Sequence, residues 1–135
     1  ATISNAMDVG NPSNFVRIQE LYHHDLNEFK KDFSSYSFTD EATIVAMKSI
    51  YNSVGYIAEP HGAVGYLGLK KEMENQPKSI GVFLETAHPV KFLDIVEKEL
   101  NVAIPIPNQI KSVLDKDKVS IKISSYGDLK KYLQE

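Results

Sequence analysis

The sequence predicts a three-layer α/β fold in which a mainly parallel sheet is flanked by helices. Short β-type runs at residues 55–58 and 79–84 are each followed by a segment with the apolar spacing of a helix. Pro60 and Pro89 stand where these helices begin, a position at which the missing N–H of proline costs nothing. Alternation of strands and helices is typical of a parallel sheet covered by helices.

The first predicted strand covers residues 1–6 and leads into a polar loop at residues 8–14. Apolar residues then recur with helical spacing from residue 15 to about residue 31. The next helix has clearer ends, because Thr39 can cap its N-terminus and Gly55 is a typical C-terminal stop. These signals predict two helices ahead of the strand at residues 55–58.

The last third of the chain predicts one more helix, then a linker, a strand and a terminal helix. Apolar residues with helical spacing follow Pro89, and Pro105 and Pro107 then break the pattern. Residues 119–123 alternate in the manner of a strand, and a short helix follows at residues 129–133. We therefore expect a single α/β domain over residues 1–135, with a strand–helix appendage at about residues 108–135.

The predicted core consists of the apolar residues that these patterns turn towards the sheet. It contains Ile44, Met47, Ile57, Val82, Leu84, Leu93 and Val96.

Composition excludes several classes of function. Fifteen basic against eighteen acidic residues give a net charge of −3, which argues against a nucleic-acid or anionic-membrane partner. The chain has no cysteine, so it carries no disulfide and no cysteine zinc site, and we predict no metal site. Absence of cysteine also fits a cytoplasmic protein. No run approaches the roughly 18 apolar residues of a membrane helix.

Polar residues cluster where predicted strands end and helices begin. Asn14, Glu59, His61, Thr86 and His88 all lie in such junctions. Because the carboxyl ends of parallel strands meet at one edge of a sheet, these junctions predict a binding site beside helix N-termini, which favour anions and polar rings. From the residues alone, His61 and His88 fit a ligand contact and a structural loop role equally well.

Three glycines recur in the helix predicted after Pro60. Gly62, Gly65 and Gly68 each cost about 1 kcal/mol relative to alanine. Close approach to a flat ligand explains such a cost, and close packing of the helix on the sheet explains it as well.

Three segments carry a family resemblance. They read Ser-Asn-Ala-Met-Asp-Val-Gly-Asn-Pro-Ser-Asn at residues 4–14, Glu-Pro-His-Gly-Ala-Val-Gly-Tyr at residues 59–66 and Thr-Ala-His-Pro-Val-Lys-Phe at residues 86–92. In this order and spacing they resemble threonine synthase, of the branch found in enteric bacteria and yeast. The resemblance covers almost the whole chain.

The resemblance implies a pyridoxal-phosphate lyase of the tryptophan-synthase-like class, acting in threonine biosynthesis. Such enzymes convert O-phospho-L-homoserine and water into L-threonine and phosphate. It also implies that this chain is a C-terminal portion whose partner is the missing N-terminal half of the same polypeptide. That half would carry the aldimine-forming Lys and the phosphate-binding loop, so the chain alone is expected to hold no catalytic residue, bind no cofactor and be inactive.

The resemblance also assigns roles to individual residues. Thr86 matches the hydroxyl residue that the family places against the pyridine nitrogen of the cofactor, and Glu59 matches an acidic residue near the ring. It places His61, Asn14 and His88 in the pocket without fixing their partners.

A rival hypothesis remains open from another class of function: an autonomous α/β ligand-binding or interaction module without catalysis.

Overall fold

The computed structural model describes residues 1–135 as an all-helical chain. The chain divides into two compact units, Ala1–Pro105 and Ile106–Glu135. Short 3-10 helices occupy Asn5–Met7 and Pro89–Phe92. The α-helices are α1 (Phe15–Leu21), α2 (Leu26–Asp32), α3 (Asp40–Val54), α4 (Pro60–Asn75), α5 (Leu93–Leu100), α6 (Asn108–Lys111) and α7 (Tyr126–Gln134).

The core of the first unit forms where α3 packs against α4 and α5. Its fully buried centre contains Met47 from α3, Ala63 from α4 and Val96 from α5. Partly buried Ile57 and Leu93 pack against this centre. The prediction that Met47 and Val96 lie in the core is therefore confirmed.

Local signals place the ends of the two long helices correctly. The Thr39 side chain accepts a hydrogen bond from the Ala42 N–H at 3.2 Å, which satisfies a free donor at the start of α3. Gly55 ends α3 with a φ of 69°, a left-handed conformation that glycine adopts at little cost. Pro60 is the first residue of α4, as predicted.

The single helix predicted from residue 15 to about residue 31 is wrong. It is divided into α1 and α2, because His23 and His24 adopt φ values of 50° and 57° that no α-helix can contain. Asp25 then caps α2 by accepting hydrogen bonds from the Asn27 and Glu28 N–H groups.

The predicted parallel sheet is also wrong, since the chain contains no β-strand. Residues 55–58 and 79–84 are not helical, but no backbone hydrogen bond joins them. A strand is stable only when a neighbour pairs with its N–H and C=O groups, and these two runs do not pair in this way. The α/β class is therefore corrected to an all-helical one for this chain.

Loss of the sheet exposes residues that were expected in the core. Ile80 is 96% exposed, and Val82 and Leu84 are 78% and 76% exposed. Their alternation is that of a strand, but nothing in the chain covers the face that they form. The prediction that Val82 and Leu84 are buried is wrong for this reason. Ile44 is partly buried.

The second unit contains α6 and α7. Ser125 caps α7 by accepting a hydrogen bond from the Asp128 N–H at 3.1 Å, and the helix includes the predicted residues 129–133. The strand predicted at residues 119–123 does not form, and Val119 is exposed. None of the helices in the chain has the length and apolarity needed to cross a membrane.

Candidate functional site

The candidate site begins at Glu59, the N-cap residue of α4. Its side chain is fully buried. Oε1 accepts a hydrogen bond from the Gly62 N–H at 2.9 Å, and Oε2 accepts one from the His61 N–H at 3.0 Å. Two free donors at the helix start are thus satisfied by a carboxylate, whose charge is also favourable beside the positive end of the helix dipole. A buried carboxylate with this much hydrogen bonding fixes the start of α4.

His61 binds the same carboxylate through its ring. Nδ1 lies 2.5 Å from Oε2 of Glu59, and Nε2 accepts a hydrogen bond from the Ala6 N–H at 3.1 Å. The ring also packs on Phe92, with 4.8 Å between the ring centroids. The three family-like segments therefore meet at one imidazole, since Ala6 lies in the first of them, Glu59 in the second and Phe92 in the third.

Glu85 lies against α4 immediately beyond this cluster. A Cβ atom added to Gly62 would lie 1.9 Å from Oε1 of Glu85, so the carboxyl group occupies the space that any larger residue would need. A flat ligand or the sheet was expected to approach Gly62, and the group that lies there in the structure is a side chain of this chain. A Cβ atom added to Gly68 would lie 3.7 Å from the Tyr36 ring, and one added to Gly65 would have no neighbour within 4 Å.

Glu85 has an unusual protonation equilibrium. Burial, and to a lesser extent repulsion by the charge of Glu59, raise the pKa of Glu85 to about 7. Oε1 of Glu85 is buried and has no hydrogen-bond partner. This carboxyl group can therefore hold or release a proton near neutral pH, and it is the titratable group that sequence reasoning missed. Its position directly before Thr86, at the end of an apolar run, was the available signal.

A cavity of about 680 Å³ opens beside Glu85. Its wall is aromatic, formed by Tyr56, Tyr66 and Phe83, with the end of α3 opposite. Tyr66 and Phe83 pack edge to face with their centroids 5.7 Å apart. Burial raises the pKa of Tyr56, and the negative charges of Glu85 and Glu59 raise it further. The cavity thus combines apolar rings with one proton-bearing carboxyl group.

The other predicted site residues lie at the surface. Thr86 is exposed, and so is Asn14, which stands at the N-cap position of α1 without a side-chain capping bond. His88 is exposed and caps the Pro89–Phe92 turn, because its Nδ1 accepts a hydrogen bond from the Val90 N–H at 3.1 Å. The chain brings Glu59 and His61 together, whereas the hydrogen bonds of Glu59 reach neither Asn14 nor Thr86. No cluster of three or more His, Cys, Asp or Glu side chains could hold a metal ion.

Replacing Glu85 with Gln is expected to change how stability depends on pH. The folded chain holds the proton of Glu85 up to about pH 7, whereas the unfolded chain releases it near the ordinary value of 4.5. The folded state therefore binds more protons between these values, and wild-type stability should fall as pH rises from 4.5 through 7. Urea unfolding of both proteins from pH 4 to pH 8 measures this. The advantage of Glu85→Gln should grow with pH and level off above 7, and parallel curves would contradict the assignment.

Comparison with known proteins gives one consistent match. Residues 62–132 match the family described as "Threonine synthase, C-terminal". The chain is 37% identical over 137 residues to threonine synthase of Buchnera aphidicola subsp. Acyrthosiphon pisum, a match that covers 100% of this chain and 31% of that protein. With threonine synthase of Serratia marcescens it is 36% identical, covering 98% of this chain and 30% of the relative.

A solved structure gives the same result in three dimensions. The crystal structure of threonine synthase from Escherichia coli superposes with a TM-score of 0.79 at 33% identity, over 99% of this chain and 31% of that chain. This chain thus spans about 31% of the length of the relatives that it matches. From its matched segment, its relatives and its fold, the chain belongs to the threonine synthase family and corresponds to its C-terminal portion.

Proposed function

We propose that this chain is the C-terminal part of a working threonine synthase, a lyase that converts O-phospho-L-homoserine and water into L-threonine and phosphate. The observation that carries the proposal is the match of the entire chain to enzymes named threonine synthase, in sequence and in fold. An autonomous binding module would not be expected to match these enzymes over its whole length. In this role the protein works in the cytoplasm, and residues at about 108–135 form a terminal appendage.

The cofactor of the whole enzyme is proposed to be pyridoxal phosphate, which supplies an electron sink when bound. Thr86 fits a role beside its ring, because an exposed hydroxyl group can donate to a pyridine nitrogen. Glu59 fits an indirect role, since its buried oxygens are occupied by His61 and Gly62. Oε1 of Glu85 has no hydrogen-bond partner in this chain. A donor on the facing wall of a larger site, formed by the rest of the enzyme, would satisfy it.

The partner that completes this site is proposed to be the remaining two thirds of the same polypeptide. Ile80, Val82 and Leu84 form an exposed apolar face on a run with strand-like alternation. Pairing that run with strands of the upstream part would bury the face and satisfy its backbone donors and acceptors. The chain alone, without the upstream Lys and phosphate-binding loop, is expected to be inactive.

A chimeric enzyme tests the proposal. This chain would replace the matching C-terminal 31% of the Escherichia coli enzyme, and phosphate release from O-phospho-L-homoserine would be measured. We expect the chimera to be active and the 135-residue chain alone to be inactive. Thr86→Val in the chimera should lower kcat by about 10- to 100-fold, because a hydrogen bond in a water-excluded site contributes about 1–3 kcal/mol. Its visible absorbance from bound pyridoxal phosphate should be retained.

The matched control is Thr86→Ser, which keeps the hydroxyl group and should retain most of the activity. Equal activity of the Val and Ser variants would remove Thr86 from the proposed site. A chimera that is soluble and loaded with pyridoxal phosphate but does not release phosphate would contradict the proposed function, as would turnover by the 135-residue chain itself.

A further inference from the structure

The protonation state of His61 follows from its two hydrogen bonds. A backbone N–H is only a donor, so Nε2 of His61 must offer a lone pair to the Ala6 N–H. The proton of a neutral imidazole is then on Nδ1, which lies 2.5 Å from the Glu59 carboxylate and donates to it. A hydrogen-bond chain therefore runs from Ala6 through the neutral ring to Glu59.

The Glu59 end of this hydrogen-bond chain is enclosed by the fold, whereas Ala6 lies at the exposed surface. The His61 side chain is 11% exposed, and the Glu59 side chain is fully buried. The ring packs against Phe92 in a tilted arrangement, at the end of the Pro89–Phe92 turn. Water thus has little access to the bond between Nδ1 and Glu59, which makes that hydrogen bond costly to lose.

Ala6 is the residue of its loop that forms a hydrogen bond with a side chain of α4. The turn Asn5–Met7 has its own internal bonds, from the Met7 N–H to Ser4 and from the Asp8 N–H to Asn5. The N–H of Ala6, the middle residue of that turn, has no partner within it, so its bond to Nε2 of His61 fixes the turn against the start of α4.

We propose that His61 is a positioning residue, which holds the three family-like segments in register through its neutral, Nδ1-protonated ring. In the enzyme proposed above, on which this inference rests, the segments around Ala6, Glu59 and Phe92 belong to one wall of the active site. His61 acts on the reaction through them and not by contact with substrate. The role depends on two different ring atoms, because Nδ1 serves Glu59 and Nε2 serves Ala6.

The ring itself can be observed without any substitution. In the 15N-labelled 135-residue chain, a long-range 1H–15N spectrum distinguishes a protonated ring nitrogen from a bare one. We expect Nδ1 of His61 to be protonated and Nε2 to be bare at neutral pH. The opposite tautomer, or a ring protonated on both nitrogens, would overturn the proposal, whether or not the whole enzyme is a threonine synthase.

Two polar variants separate the two ring atoms. The amide group of asparagine lies where Nδ1 lies, so His61→Asn can serve Glu59 but cannot reach Ala6. The amide of glutamine extends to the position of Nε2, so His61→Gln can accept from the Ala6 N–H but loses the bond to Glu59. Hydrogen exchange of the Ala6 amide should be about tenfold faster in the Asn variant than in the Gln variant, equivalent to a bond of about 1.4 kcal/mol.

His61→Phe completes the series, because it keeps the packing on Phe92 and removes both nitrogens. Exchange at Ala6 should then be as fast as in the Asn variant. Equal exchange in all three variants and the wild type would overturn the proposal. In the active chimera, His61→Gln should retain more kcat than His61→Phe at similar KM, and an identical loss in both would reduce His61 to a merely structural residue. An inactive wild-type chimera would refute the proposed function and leave the spectra to decide on His61.

Discussion

Met47→Ala is expected to lower the free energy of unfolding by about 3 kcal/mol. Met47 has no exposed surface and stands at the centre of the cluster in which α3 packs against α4 and α5. Truncation removes buried apolar atoms and leaves a cavity that these helices cannot fully close. Urea titration followed by circular dichroism measures the effect, which should appear as a lower midpoint at an unchanged slope.

Val45→Ala is the matched control, because Val45 lies two residues earlier on α3 and is 66% exposed. It should change stability by no more than about 0.5 kcal/mol. Similar losses at Val45 and Met47 would mean that helix formation alone, and not packing among the three helices, determines the stability of this unit.

Helix ends were predictable because their causes are local. Thr39 accepts from a backbone donor three residues later, and Pro60 suits a helix start through its own fixed φ and missing N–H. The left-handed conformation of Gly55 depends on its own missing Cβ. The same local reasoning missed the helix end at His23 and His24, because no feature of these side chains predicts a positive φ. Apolar spacing continued past them, although the helix did not.

The absence of the sheet could not be predicted from local patterns, because strand pairing joins residues that are distant in sequence. The alternation at residues 79–84 predicts a strand, but a strand forms only when a partner is in register beside it. Ile80 and Val82 are exposed because no strand of this chain pairs with the run and no side chain covers that face.

The structure brings some of the predicted site residues together and leaves others apart. The motif segments do meet, but at His61, for which the sequence left a loop role and a ligand role open. The assignment of Glu59 to the cofactor stays a prediction, and its position before Pro60 also made its place as the N-cap of α4 predictable. Glu85 was overlooked because its contact with Gly62 joins residues more than twenty positions apart.

Glu59→Ala is expected to lower the free energy of unfolding by about 3 kcal/mol. The substitution removes an N-cap, an effect of about 1 kcal/mol by itself. It also leaves the His61 ring N–H and the Gly62 N–H without acceptors in a region that water barely reaches, and each such buried donor costs about 1–3 kcal/mol. Loss of the carboxylate also removes the charge that raises the pKa of Glu85 in part, so that pKa should fall, as 13C NMR of its carboxyl carbon would show.

Asp25→Ala isolates the contribution of burial, because Asp25 caps α2 with the same number of backbone hydrogen bonds but is exposed. Water can replace its carboxylate, so the loss should stay near 1 kcal/mol. Losses of equal size at Asp25 and Glu59 would contradict the view that Glu59 anchors a buried network. A threefold larger loss at Glu59 would show that the start of α4, with the three segments that meet there, is held by hydrogen bonds that solvent cannot replace.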